Sequence, residues 1–155
     1  MRMAYIFIDF DGYRDWIETD EEGWALRQVT IDKNGVVSVS CSEPYLAEHP
    51  VDTENDCKII TCGEFERIWE DATFSQRNEW NSAKVNYPVG ARISGTIKYF
   101  YPQGTICGLA AALQGCADTT GIQSKFLYPG VQISGEVVGY DEQNMWVLLD
   151  ACEVI

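Results

Sequence analysis

Short runs of hydrophobic and polar residues alternate along the first forty positions of the chain. Residues 4–10 are rich in β-branched and aromatic side chains and predict a strand. Residues 24–31 and 36–41 predict two more strands, joined by the hairpin signal Asn34-Gly35. The segment 13–23, between the first and second of these strands, is polar and acidic and predicts a loop or a short helix. The N-terminal part is therefore predicted to be a β-meander.

A helical pattern follows the meander, after a predicted short strand at 58–61. Thr61 and Glu64 have the spacing of a capping box, in which a hydroxyl and a carboxylate accept hydrogen bonds from the first turn. Apolar residues then recur at helical spacing on one face, namely Phe65, Ile68, Trp69 and Ala72. The pattern predicts a helix that starts at Thr61 and can continue toward Trp80.

A near-copied phrase marks the C-terminal part of the chain. Residues 90–97 and 130–137 both read Gly-x-x-Ile-Ser-Gly-x-(Ile/Val). A repeat of this kind indicates matching supersecondary units, here two matching strands of one small barrel. Gly95 and Gly135 lie inside these strands, where glycine commonly permits a sharp bend.

The remaining C-terminal pattern is again one of strands and turns. Residues 91–99 and 105–109 predict one hairpin, and 131–140 with 145–152 predict another. Residues 122–128 predict a further strand, whereas 110–120 predict a short helix or an irregular crossing. The predicted fold class is mainly β with one clear helix (α+β). The predicted domains are residues 1–87, the acidic meander and helix, and residues 88–155, the barrel, or one continuous domain.

Residues 88–152 resemble the OB-fold RNA-binding domain of the ribosomal S-one type. The matching elements are Gly90, Gly95-Thr96-Ile97, Gly104-Thr105-Ile106, Gly130-Val131, Val137 and the segment from Asp141 to Leu149. The resemblance covers less than half of the chain. It implies a five-stranded, partly open barrel. It also implies binding of single-stranded RNA, with Tyr99 and Tyr101 stacking on bases and Arg92 and Lys98 contacting phosphates.

The charge of the chain disfavours nucleic acid as a partner. Its 155 residues include 24 acidic and 11 basic side chains, for a net charge of -13. Residues 1–87 hold 18 acids and 8 bases, and residues 88–155 hold 6 and 3, so the two parts carry -10 and -3. Such a field repels phosphates and anionic membranes and attracts basic proteins. The sequence carries no signal for the oligomeric state.

Apolar runs and cysteines in the sequence indicate where the protein resides and whether it holds a cofactor. The sequence shows no exported leader and no apolar run long enough to cross a bilayer, so we expect a cytoplasmic protein with no membrane association. Its six cysteines are then expected to be reduced thiols, and none forms a Cys-x-x-Cys pair. We expect no cofactor and no metal site.

An apolar strand that ends in Asp9-Phe10-Asp11-Gly12 resembles the first motif of haloacid-dehalogenase-like phosphatases. The resemblance implies Asp9 as nucleophile and Asp11 as acid or base beside a magnesium ion. The chain departs from that family at Tyr13 and in its downstream β-meander. We therefore expect that the protein is not an enzyme. The alternative is a metal-dependent phosphatase that uses Asp9 and Asp11.

An acidic stretch with interleaved aromatic residues is the main candidate for a binding site. Its members are Asp9, Asp11, Tyr13, Asp15, Trp16, Glu18, Asp20, Glu21 and Glu22. One interpretation is a solvated loop. The other is a docking surface for a basic protein, in which aromatic side chains supply burial and carboxylates steer association.

The segments 23–29 and 64–69 resemble acidic bacterial immunity proteins. The resemblance implies a non-catalytic inhibitor that neutralises a basic toxin such as a nuclease. The alternative function is a single-stranded RNA-binding OB module with an accessory lobe.

Overall fold

The computed structural model of the chain describes residues 3–51, 57–110 and 113–155. The fold is mainly β with one α-helix, as predicted. The chain divides into two compact units, Met1–Ser75 and Gln76–Ile155, so that the division falls within the helix, whereas the sequence pattern placed it after Tyr87. Among the described residues, no helix has both the length and the apolar character that crossing a bilayer requires.

The first unit contains an antiparallel five-stranded sheet. Its strand order is β4-β3-β2-β1-β5. The strands are β1 Ala4–Phe10, β2 Tyr13–Thr19, β3 Ala25–Ile31, β4 Val37–Val39 and β5 Lys58–Ile60. The meander from 4 to 41 and the short strand at 58 are thereby confirmed.

The prediction of a loop or short helix over 13–23 was wrong, because residues 13–19 form β2. The charges in this segment obscured its strand pattern. Asp15 and Glu18 are not solvated loop carboxylates but accept hydrogen bonds from side chains of β3. Ile17, between them, is buried opposite Ile6 of β1.

The helix α1, Cys62–Ala83, begins where the capping residue predicts. The Thr61 Oγ1 atom accepts a hydrogen bond from the Glu64 N–H at 3.1 Å. Within the first unit, Phe65 and Trp69 are buried on the helix face that contacts the sheet. The shared apolar face is confirmed at these two positions, while Ile68 and Ala72 are half-buried.

A buried arginine joins that helix to the sheet. Arg27 on β3 is 1% exposed, and its Nε and Nη2 atoms donate to the two carboxylate oxygens of Glu18 at 2.9 and 2.8 Å. The guanidinium also donates to Glu66 of the helix. It lies 4.9 Å from the ring centroid of Phe65 and 5.1 Å from that of Trp69. Burial lowers the pKa of Arg27, but the hydrogen bonds that its guanidinium donates to Glu18 and Glu66 more than offset this and leave the pKa raised.

The second unit contains a closed five-stranded barrel. Its strands are β6 Arg92–Tyr101, β7 Gly104–Gly108, β8 Gln114–Ala117, β9 Gln132–Asp141 and β10 Trp146–Val154. The order around the barrel is β10-β8-β7-β6-β9, with β8 parallel to β10 and all other pairs antiparallel. The predicted barrel of five strands is confirmed, but it is closed, whereas the resemblance implied a partly open one. Both predicted hairpins are confirmed.

Two segment predictions in the barrel were wrong. Within 110–120, residues 114–117 form β8, and residues 111–112 lie outside the described part of the chain. Small residues serve here because space is limited: a Cβ atom on Gly115 would lie 3.1 Å from Cys107 Sγ. Within 122–128 the chain forms a 3-10 turn, Ser124–Phe126, because Phe126 and Leu127 donate locally to Gln123 and Ser124 carbonyls.

The two copies of the repeated phrase pair with each other. β6 and β9 run antiparallel with Ser94 opposite Ser134, so each copy meets the other about a local pseudo-twofold axis. The backbone bonds match: Gly90 N–H donates to Val137 O, and Gly130 N–H donates to Ile97 O, both at 2.8 Å. The two turn glycines adopt φ values of 93° and 97°.

The internal glycines of the repeat serve close packing. Neither Gly95 nor Gly135 has a positive φ. A Cβ atom on Gly95 would lie 3.0 Å from Gly108 O, and one on Gly135 would lie 2.8 Å from Cys152 Sγ. The requirement for glycine at these positions is therefore the closeness of neighbouring strands.

Within the second unit, the end of α1 is held by the β9–β10 turn. Trp80 is 1% exposed, and its Nε1 atom donates to Glu142 Oε2 at 2.7 Å. Lys84 Nζ donates to the other carboxylate oxygen of Glu142 at 2.7 Å. The hydrogen bond from Lys84, followed by that from Trp80, lowers the pKa of Glu142. These contacts hold Trp80 of α1, and Lys84 directly after the helix, against the β9–β10 turn.

We expect Arg27→Leu to destabilise the protein by about 3 to 5 kcal/mol, because it leaves the buried Glu18 carboxylate without its partner. Arg67→Leu, which changes an exposed arginine of α1, should stay within about 0.5 kcal/mol of wild type. Chemical denaturation followed by tryptophan fluorescence measures both. The double variant Glu18→Leu/Arg27→Leu should recover part of the loss. A cost below about 1 kcal/mol for Arg27→Leu would contradict the assigned role of the pair.

We also expect Gly90→Ala and Gly130→Ala to cost similar amounts, each about 1 to 2 kcal/mol. No atom lies within 4 Å of an added Cβ at either position, so the cost comes from the left-handed backbone alone. Gly121→Ala is the matched control, since Gly121 has equal space and an ordinary φ. Thermal unfolding measures the three variants. Unequal costs at positions 90 and 130 would contradict the structural equivalence of the repeats.

Candidate partner-binding surface

The β1–β2 turn presents two aromatic rings and two carboxylates to solvent. Asp11 and Gly12 have φ values of 52° and 84°, as a two-residue hairpin turn requires. Phe10 and Tyr13 lie opposite each other on either side of this turn and are 73% and 44% exposed. Asp9 is also exposed. We refer to Asp9, Phe10, Asp11 and Tyr13 as the hairpin tip.

The middle of β2 carries the predicted site residues that serve the fold. Asp15 Oδ1 accepts a hydrogen bond from Thr30 Oγ1 at 2.6 Å. Trp16 is half-buried, and its ring centroid lies 5.0 Å from that of Phe7. Glu18 is 5% exposed and is bound to Arg27. These side chains are engaged within the first unit and contribute little free surface.

The far end of β2 carries the remaining predicted acids. Glu21 and Glu22 are exposed at the β2–β3 turn. Asp20 is half-buried, and its Oδ1 atom accepts from the Glu22 and Trp24 N–H groups, both at 2.9 Å. We refer to Asp20, Glu21 and Glu22 as the acidic turn. Because β2 has seven residues, the hairpin tip and the acidic turn lie at opposite strand ends, roughly 20 Å apart.

Sequence reasoning missed two residues of this region. Phe10 belongs to the hairpin tip, and its signal was its position directly before the Asp11-Gly12 turn. Arg27 removes Glu18 from the surface, and no local signal marked it as buried. Strand register determines which carboxylate lies opposite a buried arginine, and the register cannot be read from the local sequence.

The residues of the alternative RNA-binding interpretation lie in the barrel. Tyr99 and Tyr101 are half-buried with ring centroids 4.9 Å apart, and Tyr101 lies 6.0 Å from Trp146. The Tyr99 hydroxyl donates to Gln114 Oε1 at 3.0 Å. The two rings that the resemblance assigned to base stacking are therefore partly used in packing against each other and against Trp146.

The two basic residues of that interpretation are exposed. Arg92 Nη2 donates to Ser134 Oγ and Ala151 O at 3.1 and 3.0 Å and lies 3.6 Å from Glu153 Oε1. The Lys98 side chain passes over Gly108, where an added Cβ atom would meet its Cε at 2.6 Å. Arg92 is thus engaged by the barrel, and Lys98 contributes an exposed cation.

The residues of the phosphatase alternative, Asp9 and Asp11, sit at the hairpin tip. The strand that carries Asp9 turns directly into β2, opposite Arg14, and does not lead into a helix. Among the described residues, no three His, Cys, Asp or Glu side chains converge closely enough to hold a metal ion.

The cysteines of the barrel have the environment of unreactive thiols. The three barrel cysteines, Cys107, Cys116 and Cys152, are free thiols. Cys107 is 0% exposed, and burial raises its pKa to about 11. Burial likewise raises the pKa of Cys116 to about 12. A thiolate is the reactive form, so these side chains behave as small hydrophobic groups at neutral pH.

No known protein family's sequence profile matches this chain, and a search of curated proteins finds none with significant similarity.

We expect iodoacetamide at pH 8 to label the exposed Cys62 readily and to leave Cys107 and Cys116 unlabelled in the folded protein. Mass spectrometry of digested samples measures this, with urea-unfolded protein as the control. Unfolding lowers the pKa of Cys107 from about 11 to its ordinary 9.0. The thiol therefore costs no stability below pH 9, and stability falls as the pH rises from 9 toward 11. Equal labelling of Cys62, Cys107 and Cys116 under native conditions would contradict the burial of the two barrel thiols.

Proposed function

We propose that the protein is a non-catalytic inhibitor of the immunity or antitoxin type. In this proposal it binds and neutralises a basic bacterial toxin, such as a nuclease, in the cytoplasm. The observation that carries the proposal is the hairpin tip, where two exposed aromatic rings flank a carboxylate on a rigid two-residue turn.

The exposed rings of the hairpin tip supply the burial that a stable interface needs. Phe10 is 73% exposed although it belongs to the same strand as Ile6, which is fully buried. Removing one such side chain from water contributes about 1.5 to 3 kcal/mol. Aromatic side chains on a rigid support lose little conformational entropy on binding, and they are common at interface centres.

The charge of the chain selects the partner. Asp9 and Asp11 lie beside the rings, and the whole chain carries -13. A nuclease presents a cationic surface to its phosphate substrate, so an acidic protein is attracted to it and covers it. The carboxylates of the hairpin tip then pair with lysine or arginine side chains, while Phe10 and Tyr13 fill the contact between them.

A single-stranded RNA-binding module is the second candidate, favoured by the closed five-stranded barrel and the exposed Lys98. It ranks lower because the barrel offers few cations. Arg92 is engaged by Ser134, Ala151 and Glu153, and Tyr99 and Tyr101 are partly packed.

We expect the protein encoded by the neighbouring gene to bind this chain in calorimetric titration, more weakly as salt is raised. Phe10→Ser and Tyr13→Ser should each weaken binding by roughly tenfold or more, because each removes an aromatic anchor. Phe74→Ser is the matched control, since Phe74 is 77% exposed in the same unit but lies outside the hairpin tip. This control should bind as wild type does.

A toxin that keeps its full activity in excess of this chain would overturn the inhibitor proposal. Fluorescence anisotropy with single-stranded RNA, run in parallel, tests the second candidate. RNA binding at low salt that falls in Tyr99→Ala and Tyr101→Ala, without a protein partner, would reverse the ranking.

A further inference from the structure

A groove runs between α1 and the β4 edge of the sheet in the first unit. Its volume is about 250 Å³. Five apolar residues and one acid line it, namely Val29, Ile31, Val37, Ile68, Ala72 and Asp71. Ile31, Ile68 and Ala72 are half-buried and Val37 is 45% exposed, so most of the apolar lining keeps some contact with water. We call this space the edge groove.

The strand beside the edge groove is the last strand of the sheet. β4 stands at one end of the strand order, and within the described part of the chain it pairs with β3 alone. The Asp32 N–H donates to Val36 O, and the Ser40 N–H donates to Gln28 O, both at 3.0 Å. Backbone groups alternate in direction along an antiparallel strand, so those of residues 36, 38 and 40 face β3. The N–H and C=O groups of Val37 therefore point to the free side of the sheet.

The open part of this edge is short and is centred on Val37. Val39 O accepts hydrogen bonds from the Ser42 and Glu43 N–H groups at 3.3 and 3.1 Å, which closes the edge at that position. No described residue donates to the Val37 carbonyl or accepts from its N–H group. A free N–H and C=O on an edge strand are a template on which another extended chain adds as a strand. The edge therefore indicates an extended peptide segment as the occupant.

Strand addition at Val37 directs a side chain of the added segment into the edge groove. Residues that lie opposite each other on paired strands point to the same face of a sheet. Val37 and its β3 neighbour Ile31 point to the face that carries α1, since both line the groove with Ile68 of the helix. A residue placed opposite Val37 therefore enters the groove. The lining of the groove favours an apolar side chain there.

Charge decides which kind of partner supplies this segment. Asp71 is exposed at the edge groove, and no ion pair found among the described residues involves it. The chain carries -13, so it repels a second copy of itself and attracts a basic protein. Residues two positions apart on an extended strand share a face. A lysine or arginine two positions from the apolar residue therefore lies on the face that carries Asp71.

The edge groove lies at the same end of the sheet as the hairpin tip. Arg14, directly after the hairpin tip, pairs with Ile31 of the groove. The β3–β4 turn also approaches the β1–β2 turn, since an added Cβ atom on Gly12 would lie 3.0 Å from Lys33 Cβ. A partner that covers the exposed rings of the hairpin tip can therefore reach the edge groove along the same end of the sheet.

We propose that β4 pairs with an extended segment of the basic partner. An apolar residue of that segment fills the edge groove, its backbone bonds to Val37, and a lysine or arginine two positions away pairs with Asp71. This inference rests on the proposed function, because it takes the segment from the basic partner. It adds strand addition as the mode of binding.

The probe that tests this inference is the peptide acetyl-Thr-Lys-Thr-Ile-Thr-Lys-Thr-amide, titrated into the full chain and followed by NMR shifts of backbone amides. The peptide reads the same in both directions, so one probe serves both strand polarities. The expected result is saturable shifts at residues 36–39 and 68–72. A peptide with threonine in place of the central isoleucine should bind roughly tenfold more weakly, because it leaves the groove unfilled. Absence of saturable shifts with the parent peptide would overturn the inference.

A methylated peptide separates strand addition from simple attraction of a cationic peptide. Methyl groups on the backbone nitrogens of the three central residues keep every side chain and charge but remove the donors that face β4. This peptide should give no saturable shifts at residues 36–39. Equal binding of the parent and methylated peptides would overturn the inference.

Asp71→Asn tests the charge at the edge groove. It should weaken binding of the parent peptide roughly three- to fivefold, because an exposed ion pair is lost. Glu70→Gln is the matched control, since Glu70 is the neighbouring exposed acid of α1 and lies outside the groove lining. This control should bind as wild type does. An equal loss in the two variants would overturn the assigned role of Asp71.

Val37→Pro tests the edge of the sheet itself. Proline removes the outward N–H group, which the pairing with β3 does not use, so Tm should stay close to that of wild type. Peptide binding should fall by about tenfold or more. Unchanged binding in a folded Val37→Pro variant would overturn the inference. A dimer of the free chain in analytical ultracentrifugation that Val37→Pro dissociates would assign the edge to a second copy and would also overturn it.

The results separate this inference from the proposed function. Peptide binding with the stated pattern, but without any basic protein partner, would keep this inference and remove the proposed function. Binding of the protein encoded by the neighbouring gene that is unchanged in Val37→Pro and Asp71→Asn would overturn this inference and leave the proposed function standing.

Discussion

The burial of Arg27 is the constraint on which the first unit depends. Removing a guanidinium from water costs several kcal/mol, and the fold keeps it only where carboxylates and aromatic faces surround it. Glu18 meets it across the β2–β3 pair, which fixes the register of the two strands. Phe65, Glu66 and Trp69 meet it from α1, which fixes how this part of the helix is rotated on the sheet. One side chain thus sets strand register and helix orientation together.

This constraint also divides the acidic residues by role. Glu18 and Asp15 lie in the middle of β2 and accept hydrogen bonds from side chains of β3, so these carboxylates stabilise the fold and are not available to a partner. Of the acids at the two ends of the strand, Asp20 accepts two local backbone hydrogen bonds, whereas Asp9, Asp11, Glu21 and Glu22 are exposed at the hairpin tip and the acidic turn. The free negative charge therefore collects at both ends of one rigid strand. In the proposed complex, a basic partner that reached both ends would make two separated contacts, and their separation would add specificity beyond the attraction of opposite charges.

Much of the fold could be predicted from the sequence because its signals are local. The Asn34-Gly35 turn and the Thr61 cap each act within a few residues, and the repeated phrase marks two strands by a motif of eight residues. Each of these signals corresponds to an observed element. Strands β2 and β8 were not predicted because the residues that stabilise them lie far away in the sequence. The carboxylates of β2 find partners on β3, and the small residues of β8 are required by the nearby Cys107 side chain and Val147 carbonyl. For the same reason, the sequence indicated an acidic site but could not divide it into buried and exposed members.

We propose that a basic partner docks on the first unit at the two ends of β2. Hydrogen–deuterium exchange of the chain, free and saturated with the protein encoded by the neighbouring gene, tests it most directly. We expect slower exchange on binding for backbone amides at 10–13 and 19–24, with little change in β6, which carries Arg92 and Lys98. Protection confined to residues 92–101 of the barrel, with none in the first unit, would contradict the claim.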